Sequence, residues 1–130
     1  VNGAPDRREN AQPASLQEIL RQMNADGRFE VVIMASQDGL LIATEPAAYD
    51  SEVTAATVAL LRRVSSDTRE QLGLAALDEV AIRSSDRACL VCRYLTVGEQ
   101  GLILVALVPP DRYYRRVTNR AIRQIRGLLS

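Results

Sequence analysis

Cys89 and Cys92 stand at CxxC spacing, which in a loop or at a helix start binds zinc or carries redox chemistry. Here the pair falls in Ala88-Cys89-Leu90-Val91-Cys92-Arg93-Tyr94-Leu95, a run of strand composition. Side chains three apart on a strand leave by opposite faces, so the two thiols cannot close on a metal or on each other. They read as small apolar core residues. Carboxylates are the next source of chemistry. Asp78-Glu79, and Glu45 with Asp50, could supply an acid and a base, but nothing gives either pair a shared cleft, and they read as solvated surface groups. Ser65-Ser66 and Ser84-Ser85 have no base to activate them.

The chain has no His, no Lys and no Trp, and all sixteen of its basic residues are Arg. Imidazole-activated nucleophiles, imidazole metal ligands, Schiff bases and a phosphate-loop lysine are thereby excluded. Toward the C-terminus Arg112, Arg115, Arg116, Arg120, Arg123 and Arg126 stand against the single acid Asp111. Such a basic helix invites a nucleic-acid or anionic-membrane reading. The chain as a whole is neutral, however, and Tyr113 and Tyr114 are the aromatics at hand to stack on bases, so a solvated or acid-paired face is the better reading. Gly98 and Gly101 sit between two strands with no helix N-terminus after them, and they read as a hairpin turn. No catalytic residue, metal, cofactor or nucleic-acid partner is expected, and the chain is not read as an enzyme.

At 130 residues with 47% hydrophobic and 25% charged content, one compact domain is expected, burying roughly two-thirds of the surface its unfolded chain exposes. The apolar stretch Leu102 to Val108 is far short of the roughly 20 residues that cross a bilayer, and no signal-peptide pattern opens the sequence. A cytoplasmic protein without membrane insertion is expected. Residues 1–14 read as a flexible polar tail and 15–130 as the single domain.

Within that domain, Ser15 and Glu18 have capping-box spacing, and Leu16, Ile19, Leu20 and Met23 mark one face of a helix ending near Gly27. Phe29 to Ser36 carries bulky residues in both alternating positions, which suits a central strand covered on both sides. Asp38-Gly39 is a hairpin signal leading into a strand from Leu40 to Thr44. Asp50 or Ser51 caps a long helix to about Leu72. Strands follow at Leu77 to Arg83, Ala88 to Leu95 and Leu102 to Val108, and after Pro109-Pro110-Asp111 a last helix buries Tyr114, Val117, Ala121, Ile125 and Leu128. The fold class is α/β of the α+β kind: a five-stranded antiparallel sheet, order 2-1-5-4-3, sandwiched between the long helix and two other helices, with the strand around Asp78, Glu79 and Arg83 at an edge.

The long helix is where function shows. Val53, Thr57, Leu60, Leu61, Val64 and Thr68 form an apolar arc that reads as its inner stripe, and Ala55, Ala56, Val58 and Ala59 continue the uncharged surface around the other side. A helix apolar on all sides is covered on all sides, so a second subunit or a partner is expected over Ala55, Ala56 and Ala59.

This element order, with Val31-Val32-Ile33-Met34-Ala35-Ser36-Gln37-Asp38-Gly39-Leu40-Leu41-Ile42-Ala43 at its front and Tyr113-Tyr114 near its end, resembles the Roadblock (dynein light-chain type) family, its bacterial members in particular. The resemblance covers about Leu16 to Leu129. It implies a homodimer in which the edge strand pairs with its copy and the long helices lie side by side, acting as a regulator or scaffold of a Ras-like small GTPase; one bacterial member promotes hydrolysis by the gliding-motility GTPase. On that resemblance the dimer and docking positions are Ala55, Ala56, Ala59, Arg62, Arg63 and Ser66 on the helix and Glu79, Ala81 and Arg83 on the edge strand. An arginine-finger role for Arg62 or Arg63 is weighed against rim docking, and rim docking is preferred because interface charges mostly steer. The alternatives are a sensory module holding a small molecule between sheet and helices, and a purely structural homo-oligomeric scaffold.

Overall fold

A computed structural model describes residues 15–130. The expected tail, residues 1–14, lies outside them. The order of elements is α1 (Leu16–Gly27), β1 (Val31–Ser36), β2 (Leu41–Glu45), α2 (Glu52–Leu72), β3 (Glu79–Arg83), β4 (Cys89–Val97), β5 (Gln100–Val108) and α3 (Arg115–Leu129). The strands form one antiparallel sheet in the order β2-β1-β5-β4-β3, as the hairpin signals and hydrophobic pattern lead one to expect.

Local chemistry explains most boundaries. Ser15 accepts a hydrogen bond from the Glu18 amide and caps α1. The α2 N-cap is Ser51, but its hydroxyl is drawn away from the helix to Thr44 Oγ1 at 2.9 Å, tying the start of α2 to the end of β2. α3 begins at Arg115, four residues later than Asp111 suggests. Asp111 instead adopts a positive φ of 63° and pairs with Arg87 at 2.9 Å, so the segment after Pro109-Pro110 is a linker.

Two unequal cores flank the sheet. On one face Ile19, Leu20 and Met23 of α1 and Ala121, Ile122 and Ile125 of α3 pack onto Val32, Met34, Val91, Leu104 and their neighbours. On the other, Val31, Ile33, Cys92, Ile103 and Val105 are covered by α2, which adds Val58 to that cluster. Cys89 belongs to the first core and Cys92 to the second, and both are free thiols, as strand alternation requires. Burial pushes the Cys92 thiol up to about 12, with Cys89 adding to the shift. Only Ala55 and Val58 of the twenty-one residues of α2 are buried, which sets this helix apart from α1 and α3. No helix among the described residues is long and apolar enough to cross a membrane.

Candidate functional site

The faces of α2 are the reverse of the sequence expectation. Ala55 and Val58 face the sheet and are fully buried, whereas Val53, Leu60 and Val64, read as the inner stripe, are 76, 58 and 56% exposed. Of the alanine arc, Ala55 is buried and Ala59 half-buried beneath the chain itself, whereas Ala56 is exposed. The β1–β2 turn lies on this arc, with Gly39 at φ 95°, so close that a Cβ there would come within 3.4 Å of Ala56 Cα and of Ala59 Cβ. Small residues at 56 and 59 let that turn approach, and Ala56 keeps an exposed face. The surface that does lack cover is the aliphatic stripe Val53, Leu60 and Val64, roughly half a helical turn around the axis from Val58. Large aliphatics with this exposure on one helix face mark an interaction surface when they are contiguous.

The short strand β3 adds a second unpaired feature. It pairs with β4 from Glu79 opposite Arg93 to Arg83 opposite Cys89, and its other edge has no strand beside it among the described residues. Alternation puts Val80 and Ile82 on the α2 side of the sheet and Glu79, Ala81 and Arg83 on the α3 side. Ile82 is 48% exposed, and Ala81 and Arg83 are exposed as well.

Glu79 is committed elsewhere. Its carboxylate accepts from Tyr114 Oη at 2.8 Å and Arg115 Nη1 at 3.0 Å, while Asp78 accepts from Arg115 Nη2 at 3.3 Å and Arg93 Nη2 at 3.4 Å. Arg93, itself buried, completes the group by donating to Thr118 Oγ1, and its Nε lies 3.6 Å from Glu79 Oε1, an ionic contact beyond hydrogen-bond length. The hydrogen bond that Arg115 donates to Asp78 and the charge of Glu79 raise the Arg115 pKa, and burial followed by the hydrogen bond to Glu79 raises that of Tyr114. Asp78 and Glu79 are thus not free surface carboxylates but the acidic half of a network that fastens the edge strand to α3. Sequence reading passed over Arg93. The signal was its parity with Cys89 and Val91, which puts a guanidinium on an apolar face directly across from Glu79.

The remaining expected positions separate. Arg63 is exposed on the charged flank of α2, whereas Arg62 and Ser66 are half-buried and turn toward a pocket at the C-terminal end of the helix. Among the described residues no three of His, Cys, Asp and Glu gather to hold a metal.

Compared with known proteins, the chain matches no family model and no curated protein sequence. Solved structures do share its fold. MglB of Myxococcus xanthus aligns over 87% of this chain and 93% of its own, with 14% identity and a TM-score of 0.75. The gliding protein MglB of Thermus thermophilus aligns over 99% and 93%, with 18% identity and a TM-score of 0.73. A Roadblock/LC7 domain from Streptomyces avermitilis aligns over 91% and 95%, with 17% identity and a TM-score of 0.67. The chain therefore has the Roadblock-type fold, as its order of elements led us to expect.

Proposed function

We propose that this chain is a non-catalytic docking module that pairs with a second copy of itself and, as a dimer, regulates or scaffolds a Ras-like small GTPase. The observation that carries the reading is the stripe Val53, Leu60 and Val64, left in water on a helix of which just two residues are buried. The stripe and the open edge of β3 lie on the same chain as two unfinished surfaces, and a twofold axis completes both when β3 pairs with its copy and the two α2 helices pack together. The occupant is a second copy because an edge strand and an aliphatic helix face are each self-complementary.

Magnitudes set what kind of dimer this is. Full burial of a Val or Leu side chain gains about 1.5–3 kcal/mol. Three such residues from each of two chains yield a gain comparable with the roughly 4–15 kcal/mol that association costs. Strand pairing through β3 has to contribute, so the dimer is concentration-dependent. Glu79, held by Tyr114 and Arg115, keeps the edge strand in place for that pairing. Arg63, exposed on α2, is the rim position for a partner on that face, and Ala81 and Arg83 are exposed on the α3 side of the edge strand.

The GTPase partner rests on the likeness of sequence order and fold to the Roadblock type and to MglB. Pull-down of small GTPases of the source organism, loaded with GDP or with a non-hydrolysable GTP analogue, tests it. Capture in one nucleotide state by the wild type, lost in a variant carrying Arg63→Glu, is the expected outcome; indifference to both loaded forms contradicts it.

A further inference from the structure

At the C-terminal end of α2, where the helix, the loop after it and the β4–β5 hairpin meet, lies a pocket of about 420 Å³. That volume falls in the range of small-molecule sites, roughly 300–1,000 Å³. Arg62, Arg69 and Arg126 line it together with Gln37, Ser66 and Tyr94, and no carboxylate lines it. Nor is any of the three guanidinium groups paired with a carboxylate among the described residues, in contrast to Arg93 and Arg115.

The polar groups have few partners within the chain. Tyr94 Oη is buried with no hydrogen-bond partner, a state that is unfavourable when nothing compensates it. Burial, followed by the effect of Cys92, pushes this tyrosine's pKa up to about 12, and the positive charge of Arg62 opposes the shift, as it must when it stands close by. Arg69 donates to the carbonyl of Leu74 at 2.8 Å, which fixes its guanidinium at the rim. Gln37 is laid across Gly101 so closely that a Cβ at residue 101 would sit 2.2 Å from Gln37 Oε1. A glycine at that point keeps the carboxamide on the pocket floor.

From this convergence we infer that the pocket is a binding site for a small phosphate-bearing molecule, with Arg62, Arg69 and Arg126 neutralising its charge and Tyr94, Ser66 and Gln37 orienting it. Guanidinium forks match phosphate oxygens in bidentate geometry, and three of them without an acid among the lining residues favour a polyanion over a neutral ligand. The negative end of the α2 dipole, about half a charge, points to the same place and is outweighed by three full positive charges. The site is separate from the Val53–Leu60–Val64 stripe and does not depend on what covers that stripe.

Inorganic pyrophosphate, inorganic phosphate and a nucleoside diphosphate, each titrated calorimetrically into the full chain, test the inference. Saturable binding of at least one of them is expected, at one molecule per chain and tighter for pyrophosphate than for phosphate. Arg62→Gln and Arg126→Gln should each weaken it about tenfold, and Tyr94→Phe by a smaller factor. Arg116→Gln, on the exposed α3 surface outside the pocket, should leave it within about twofold. Arg62 makes no hydrogen bond within the described chain, so its replacement should fold, and unchanged thermal melts verify this; should it not fold, Arg126→Gln carries the same comparison. Absence of saturable binding for all three probes, or equal weakening by Arg116→Gln, overturns the inference.

Discussion

Arg93 Nη1 donates to Thr118 Oγ1 at 2.7 Å across the boundary between sheet and α3, with the two residues 4 and 1% exposed. Thr118 passes the contact on, since its hydroxyl also donates to the carbonyl of Tyr114, whose ring oxygen in turn reaches Glu79. The edge strand β3 is thereby held to α3 by charged and polar groups rather than by apolar packing.

Replacing Arg93 by Ala should destabilise the fold by about 1.5–3 kcal/mol, the range for hydrogen bonds to charged groups. The upper part of the range for breaking a buried pair does not apply, because Asp78 is 59% exposed and can turn to water. Arg93→Lys should recover little of the loss, since one ammonium cannot reach Thr118 and both carboxylates at once. Urea denaturation of the three proteins measures this, and hydrogen exchange at Val80 and Ile82 should rise in the Ala variant ahead of exchange in β1.

Gly39→Ala should cost about 1–2 kcal/mol. The loss has two sources: a φ of 95° that an L side chain resists, and contact with Ala56 and Ala59. A paired change at Ala59 to Gly relieves the contact and not the backbone strain, so it should restore only part of the stability in the same denaturation experiment.

Much of the fold was legible because its signals are local. Apolar residues on both faces of Phe29 to Ser36, the Asp38-Gly39 turn, the Ser15 cap and the continuous apolar run of β5 each follow from neighbours in sequence, and together they yielded the strand order. The face of α2 was not legible in the same way. The helix carries two apolar arcs, a small one at Ala55, Val58 and Ala59 and a large one at Val53, Leu60 and Val64, and hydrophobicity alone ranks the larger as inner. What decides the matter is the β1–β2 turn, a tertiary neighbour that admits only small side chains. Arg93 and the Arg62–Arg126 pocket escaped for the same reason, since their partners lie on elements distant in sequence.

The tyrosines give a pH prediction. Tyr94 and Tyr114 have folded pKa values raised above the ordinary 10.0, Tyr94 to about 12, so the folded state holds protons that the unfolded state has released. Stability from this source is complete below pH 10 and falls as pH rises from about 10 toward about 12. Spectrophotometric titration should show tyrosine ionisation completed only with unfolding, and Tyr94→Phe should flatten the alkaline loss of stability.

Cys92 should resist thiol reagents in the folded protein, because the thiolate is the reactive form and burial holds its pKa near 12. Labelling followed by mass spectrometry should find Cys92 modified at a rate set by unfolding, and denaturant should bring it to the rate of a free thiol.

Sedimentation velocity over a wide concentration range, on the wild type and on a variant carrying Leu60→Glu and Val64→Glu, tests the exposed α2 stripe most directly. A reversible dimer is predicted for the wild type and a folded monomer for the variant, with the dissociation constant raised at least a hundredfold, as the loss of about 3 kcal/mol or more of burial requires. A wild type that stays monomeric at the highest concentration, or a dimer that survives both glutamates, contradicts pairing through this stripe.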